Sequence, residues 1–384
     1  MTPPTETIAR QESWILENDT IRLAVTRLGG HMAPVTFAAG SDHPMQPYYI
    51  SPWQDEGRSL ETEVLRPLRG NFFCMPFGGE NRYRGEDHPA HGEPATRRWK
   101  NARIDADGPI RMLTARMDTT ARPGRVTKTH ALVDGHDAVY TAHRLEGYSG
   151  AMCLGHHATL AVPERPGGLL VSSSPFELGM TNPSLFSNPA DGEYQSLAIG
   201  KRFRSLGKVP TLWKDRPWAD CSEYPAREGF TDLIALMKTP RRTPAWMTAV
   251  CPEQGYLWFS LKDAAVLPTT AMWISNRGRH GEPWGGRNRC LGLEDVCAYF
   301  ADGLTNSAKK NELTEAGFPT TVSLRKNRPA DVRYIEGAVR VKKSFGRVRR
   351  ARFARGGLTF VDENGNEADV RVNHDFLATG ELNV

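Results

Sequence analysis

No stretch of this chain approaches the ~20 consecutive apolar residues that a membrane-spanning helix needs, so no such span is expected. Residues Met1 to Gln11 are polar and carry no apolar core of the kind a secretory signal requires. Cysteine is sparse: Cys74, Cys153, Cys221, Cys251, Cys290 and Cys297 are scattered over 384 residues, with no Cys-x-x-Cys pair. That spacing supports no zinc site. A chain of this length does not depend on disulfide staples, so these read as reduced, mostly buried thiols of a cytoplasmic protein. Long helical periodicity is also nearly missing; only Leu304–Ala316 reads as a short polar helix. There is no repeat at a fixed period.

What the chain does have is short strands and turns. Ile21, Leu23 and Val25 alternate with Arg22, Ala24 and Thr26, the period-two pattern of a half-buried strand. Asn18-Asp19 precedes it as a turn, which makes Trp14–Glu17 and Ile21–Thr26 a hairpin. After Gly29-Gly30 the pattern resumes at Ala33–Phe37. Similar segments are 111–117, 126–132, 138–145, 153–162, 169–172, 233–237, 247–251, 256–261, 270–275 and 320–324. With 36 Gly and 27 Pro punctuating them and no βαβ alternation, the expected class is all-β, a sandwich or barrel. Residues 163–224 are irregular, include Trp213-Lys-Asp-Arg-Pro-Trp218, and read as a long decorated insertion.

Charge is uneven. The net charge is +5, yet residues 325–355 hold twelve Lys/Arg against two acids, which is +10 and leaves −5 for the rest. A mildly acidic body argues against a general nucleic-acid surface. Pieces 338–342, 347–353, 358–362 and 367–372, with the turn Glu363-Asn-Gly-Asn366, suggest a small basic β appendage. The plain reading of its cations is a solvated edge strand that resists aggregation; the sharper one, a nucleic-acid patch, lacks clear aromatic interleaving. The expected division is residues 1–326 as the main β body and 327–384 as the appendage.

Three polar groupings carry candidate chemistry. The first is the Gly-, Arg- and His-rich segment Pro76-Phe-Gly-Gly-Glu-Asn-Arg82-Tyr-Arg-Gly-Glu-Asp-His88-Pro-Ala-His91-Gly-Glu93, suited to a hydroxyl-rich ligand. The second is His156-His157 on a strand, where alternation lets only one face a given pocket. The third is Leu291-Gly-Leu-Glu294-Asp295, an apolar strand ending in two carboxylates. Each also has a plain structural reading: a surface loop, one core and one exposed histidine, a turn cap. His88, His91, His157 and Glu294 could together be read as a metal set, but Pro89 interrupts the His-x-x-His spacing and no helix presents it.

The collinear order of these pieces resembles the galactose mutarotase (aldose 1-epimerase) superfamily, in a divergent branch, over about residues 14–324. Ile21–Phe37 looks like its N-terminal hairpin, Gly79-Glu-Asn-Arg82 like its Asn-Arg loop, and Ala90-His-Gly92 like its Leu-His-Gly loop. His157 and Leu291-Gly-Leu-Glu294 look like its histidine and late catalytic glutamate. The resemblance implies an antiparallel β-supersandwich with a sugar cleft on the concave face of a sheet.

For activity, the resemblance implies a carbohydrate-active protein that interconverts anomers by general acid–base catalysis, with neither cofactor nor metal. Glu294 would be the base and His157 the acid. Arg82, His91, Asp232 and Trp273 would contact the sugar. The expected partner is a monosaccharide or sugar derivative, with no membrane; nucleic acid is not the expected partner, and homo-oligomerisation stays open. Two other classes stay open beside it: a noncatalytic carbohydrate-binding or sugar-sensing protein of the same fold, and a metal-dependent β-sandwich enzyme.

Overall fold

The computed structural model describes residues 1–382. Two large antiparallel sheets dominate, one of eleven strands and one of nine. The expected hairpin forms, with Gln11–Glu17 paired to Ile21–Thr26 so that Glu17 faces Arg22 across the turn. It lies toward one edge of the eleven-stranded sheet. The centre of that sheet runs Asn71–Cys74, Leu154–Ala161, Arg289–Cys297, Thr269–Asn276, Phe230–Met237. The nine-stranded sheet packs against one face of it. Leu154, Ala158, Leu160, Leu291, Leu293, Met272 and Ile274 meet Val139, Val171, Met247, Trp258 and Tyr334 in one inter-sheet core. The arrangement is the antiparallel supersandwich expected, and alternation along each strand sets which side chains enter the core.

The other face of the eleven-stranded sheet carries a smaller apolar group that includes Leu233, Ala235, Ala271 and Trp273. Loops cover this face, and here the candidate site lies. The expected helix at 304–316 is two short pieces, Gly303–Ser307 and Glu312–Glu315, the second capped by Asn311. No helix among the described residues is long and apolar enough to cross a membrane. All six cysteines are free and buried.

The division expected at residue 327 needs moving. Ala330–Arg340 is an interior strand of the nine-stranded sheet, hydrogen-bonded to Ala138–Glu146 on one side and Tyr256–Lys262 on the other. Its inner part, from Tyr334 to Val339, is buried throughout, because both faces of the sheet are covered there. What lies beyond it is a three-stranded sheet, Val348–Ala354, Gly357–Asp362 and Glu367–Arg371. Leu358, Phe360, Ala368 and Val370 from this small sheet pack on Val250, Leu257, Phe259, Leu261 and Ile335. The segment 338–342, assigned to the appendage from its charge, therefore splits: residues 338–340 belong to the main body.

Candidate active site

The site is built on two neighbouring strands. Leu154–Ala161 and Arg289–Cys297 pair antiparallel with His157 directly opposite Glu294. In this register both side chains leave the same face of the sheet, and His157 Nε2 lies 3.2 Å from Glu294 Oε1. Alternation sends their neighbours the other way. His156 stacks on Tyr334 of the second sheet, ring centroids 4.3 Å apart, and Asp295 takes Lys262 Nζ at 2.6 Å inside the core. Of the histidine pair, His157 is the one that faces the cavity.

The His157 ring is held from two sides. Phe72, opposite it on Asn71–Cys74, stacks on it at 4.5 Å, and His31 stacks on the far face of Phe72 at 4.0 Å. Nδ1 of His157 meets Thr159 Oγ1 at 3.1 Å, which leaves Nε2 toward Glu294. Gly292 makes room for the carboxyl: a Cβ there would sit 2.3 Å from Glu294 Oε1.

His91 arrives from the loop. It occupies a left-handed conformation, φ 60°, and is followed by Gly92 at φ 79°. A Cβ on Gly92 would strike the Met75 carbonyl oxygen at 2.0 Å, so this sharp turn requires glycine. The turn brings the His91 ring to 5.1 Å from that of His157, edge to face, with Nδ1 3.3 Å from Cys74 Sγ.

These groups line a cavity of about 270 Å3 with Leu233, Trp273, Trp284 and Arg279, just below the roughly 300–1,000 Å3 typical of small-molecule sites. Trp273 stands 6.1 Å from His157 and 5.6 Å from Trp284, nearly perpendicular to each, and forms an aromatic wall. Arg279 and Trp284 come from the irregular segment 277–288 and went unnoticed in the sequence. Its Gly-Arg-His-Gly-Glu-Pro-Trp run was the available signal. Arg279 Nη1 contacts the buried Glu193 carboxylate at 3.0 Å and its guanidinium lies over the Phe186 ring, while its Nε is buried with no partner.

Burial sets the protonation. It pushes the Glu294 carboxyl up to about 8 and holds the His157 imidazole well below its ordinary value, with His91 and His31 adding to the depression. His91 is brought down to about 4, again by burial. At neutral pH, Glu294 and His157 therefore hold one proton between them.

Four of the six expected site residues, His91, His157, Trp273 and Glu294, share this cavity; two do not. Arg82 sits on the outer hairpin Asn81–Tyr83/Glu86–His88 with its side chain 77% exposed, 3.4 Å from Asp87. Asp232 points into the inter-sheet side, where it accepts from Ser196 N, Ser196 Oγ and Leu197 N. Alternation gives the cavity its neighbour Leu233 instead. The alternative metal set does not assemble, because His88 turns to Glu86, Nε2 to Oε2 2.8 Å.

No protein-family profile matches the sequence, and no curated protein matches it. Solved structures do share its architecture. A candidate aldose 1-epimerase from Klebsiella pneumoniae superposes with a TM-score of 0.60 at 11% identity, over 86% of this chain and 80% of that one. A candidate mutarotase from Salmonella typhimurium gives 0.57 at 10% identity over 88% and 94%. A galactose mutarotase-like protein from Lactobacillus casei gives 0.53 at 11% identity over 85% and 100%. The chain thus has the galactose mutarotase-like fold, far diverged in sequence. Likeness at this identity establishes the fold and leaves the chemistry to be argued from the site.

Proposed function

We propose that the protein interconverts the anomers of a free aldose by general acid–base catalysis in this cavity. Mutarotation needs one group to take the proton from the anomeric hydroxyl and another to give a proton to the ring oxygen. A buried pair that shares one proton has that inventory. At rest the proton sits on Glu294; its passage across the 3.2 Å contact to His157 would make Glu294 the base and His157 the acid. The ring opens, the aldehyde turns, and closure on its other face runs the transfers in reverse. Trp273 and His91 would contact the sugar. Arg279, held by Glu193, would donate to a ring hydroxyl. The fold shared with candidate epimerases supports the reading. The observation that carries it is the 3.2 Å approach of two buried, register-paired side chains inside an aromatic-walled cavity.

The test is saturation-transfer NMR of anomer exchange across an aldose panel, with and without the full-length protein. Exchange of at least one aldose should exceed the buffer rate and vanish in Glu294→Gln while binding persists. Binding without any acceleration would instead make this a sugar-binding protein. Activity lost to a chelator and restored by a divalent ion would make it a metal enzyme.

A further inference from the structure

A second cavity of about 200 Å3 lies between the loop 239–244 and the strand Val348–Ala354 of the small sheet. It shares no lining residue with the first. Ser174, Lys238, Arg241, Arg349 and Arg350 line it, with Trp246 as an apolar wall. We propose that this cavity binds the phosphate group of a small phosphorylated ligand.

The hydrogen bonding inside it is incomplete in one direction. Ser174 is buried, and its Oγ accepts from Lys238 Nζ and from the Trp246 backbone N–H, each at 3.1 Å. No described residue accepts the Ser174 hydroxyl proton, which leaves a buried donor at the cavity wall. Lys238 is 1% exposed. Its Nζ donates to Ser174 Oγ and, at 2.9 Å, to the Trp246 carbonyl. No carboxylate among the described residues forms an ion pair with it. Burial, with Lys262 adding to it and Asp295 partly opposing it, holds the Lys238 amine well below its ordinary value, and an anion bound beside it would favour its charged form.

The arginines lie at a local irregularity of the strand. The pairing of Val348–Ala354 with Gly357–Asp362 shifts register between Val348 and Arg350. Residues 349–351 all line the cavity, so the shift lies where Arg349 and Arg350 meet it. Arg350 makes no ion pair among the described residues. Arg241 and Arg349 have only Glu177 at 3.3 Å and Glu363 at 3.6 Å, in exposed pairs that contribute little. Guanidinium forks and a hydroxyl donor match phosphate oxygens. Glu177 and Glu363 beside the arginines would repel a continuous polyanion, which favours a small ligand over nucleic acid.

The experiment is a titration of the full-length protein with inorganic phosphate, followed by equilibrium dialysis at constant ionic strength. A hexose phosphate, the unphosphorylated hexose and a short oligonucleotide form the other arms. Saturable phosphate binding is expected, weakened at least tenfold in Arg349→Ala/Arg350→Ala and about threefold in Ser174→Ala. Glu294→Gln should leave it unchanged. The two arginines are exposed, so an unaltered melting temperature in the absence of phosphate will show that the double variant is folded. Three results would each overturn the proposal: no saturable binding, binding that survives the arginine changes, or loss of binding in Trp273→Ala. Tighter binding of the oligonucleotide than of either phosphate ligand would also overturn it.

Discussion

The strands Leu154–Ala161 and Arg289–Cys297 carry the same residue types on their two faces and treat them differently. Toward the cavity stand His157 and Glu294; toward the second sheet stand His156 and Asp295. Both carboxylates are buried. Burial pushes both upward, and nothing opposes it at Glu294, which reaches about 8. At Asp295 the same push is outweighed by Lys262 and Lys238 and by hydrogen bonds from Lys262 and Thr270, so the group ends below its ordinary value. Asp295 also accepts from Ser260 and Tyr334. One carboxylate is satisfied and locked ionised; its neighbour is left with a histidine and a cavity. The contrast separates a group that holds the sheets together from one free to exchange a proton.

The largest expected effect breaks the contrast on the cavity side. Glu294→Gln should lower anomer exchange by about 10²–10⁴, read by NMR, with no loss of stability, since the amide resembles the protonated acid already favoured there. His157→Asn should fall in the same range, and the two losses should not multiply in the double variant. On the core side the expectation is reversed. Asp295→Asn leaves Lys262 without its charge partner and should cost about 3–5 kcal/mol in urea unfolding. Any fall in exchange should follow only from the fraction unfolded.

The pH dependence of stability should sharpen the same comparison. Glu294 has a raised folded value, so the folded protein keeps a proton that the unfolded chain releases between about 4.5 and about 8. Its contribution is therefore most favourable below that window and is lost as pH rises through it. Asp295 is lowered, so its contribution is present above the ordinary aspartate range and is lost as pH falls toward its folded value. Wild type minus Glu294→Gln should thus show a stability difference that grows more unfavourable to wild type from pH 5 to pH 8. A flat difference would mean that Glu294 is ionised throughout.

A smaller effect is expected at the glycine two residues before Glu294 on the same strand. Gly292→Ala places a methyl against the Glu294 carboxyl and should reduce exchange about tenfold to a hundredfold, the scale of an ångström-sized misplacement. Melting temperature should move much less than activity.

Much of this was legible in the residues. Period-two alternation located the strands and, applied to His156-His157, limited the cavity to one of them. It could not say which, because the choice depends on the face that Phe72 and Glu294 share after pairing. The strand Ala330–Arg340 was misassigned for a physical reason. Arg333 and Arg340 give it a surface appearance, yet both side chains escape the sheet to donate to the carbonyls of Ala378 and Gln254. Arg279 and Trp284 lie in a loop with no periodicity, so only the fold brings them to the cavity. Asp232 failed by parity, one residue from the cavity-facing Leu233.

Arg82 gives the smallest expected effect and the strictest check on the boundary between cavity and surface. The order of motifs made it a sugar contact, but order along the chain says nothing about which way a hairpin faces. Arg82 lies on a three-residue strand of an outer hairpin, and bonds that do not use its side chain already hold the loop. Thr305 Oγ1 donates to the Arg82 carbonyl oxygen, and Asn81 Nδ2 donates to the Gly79 carbonyl oxygen. The Arg82 side chain adds only an ion pair with Asp87, both partners 77% exposed, which solvent screens. Arg82→Ala should therefore change stability by less than about 0.5 kcal/mol and leave the exchange rate and its apparent sugar affinity unchanged. A tenfold loss of affinity with an unaltered melting temperature would show that the hairpin folds over the cavity when sugar binds. The sequence order would then have recognised a contact that forms only in the complex.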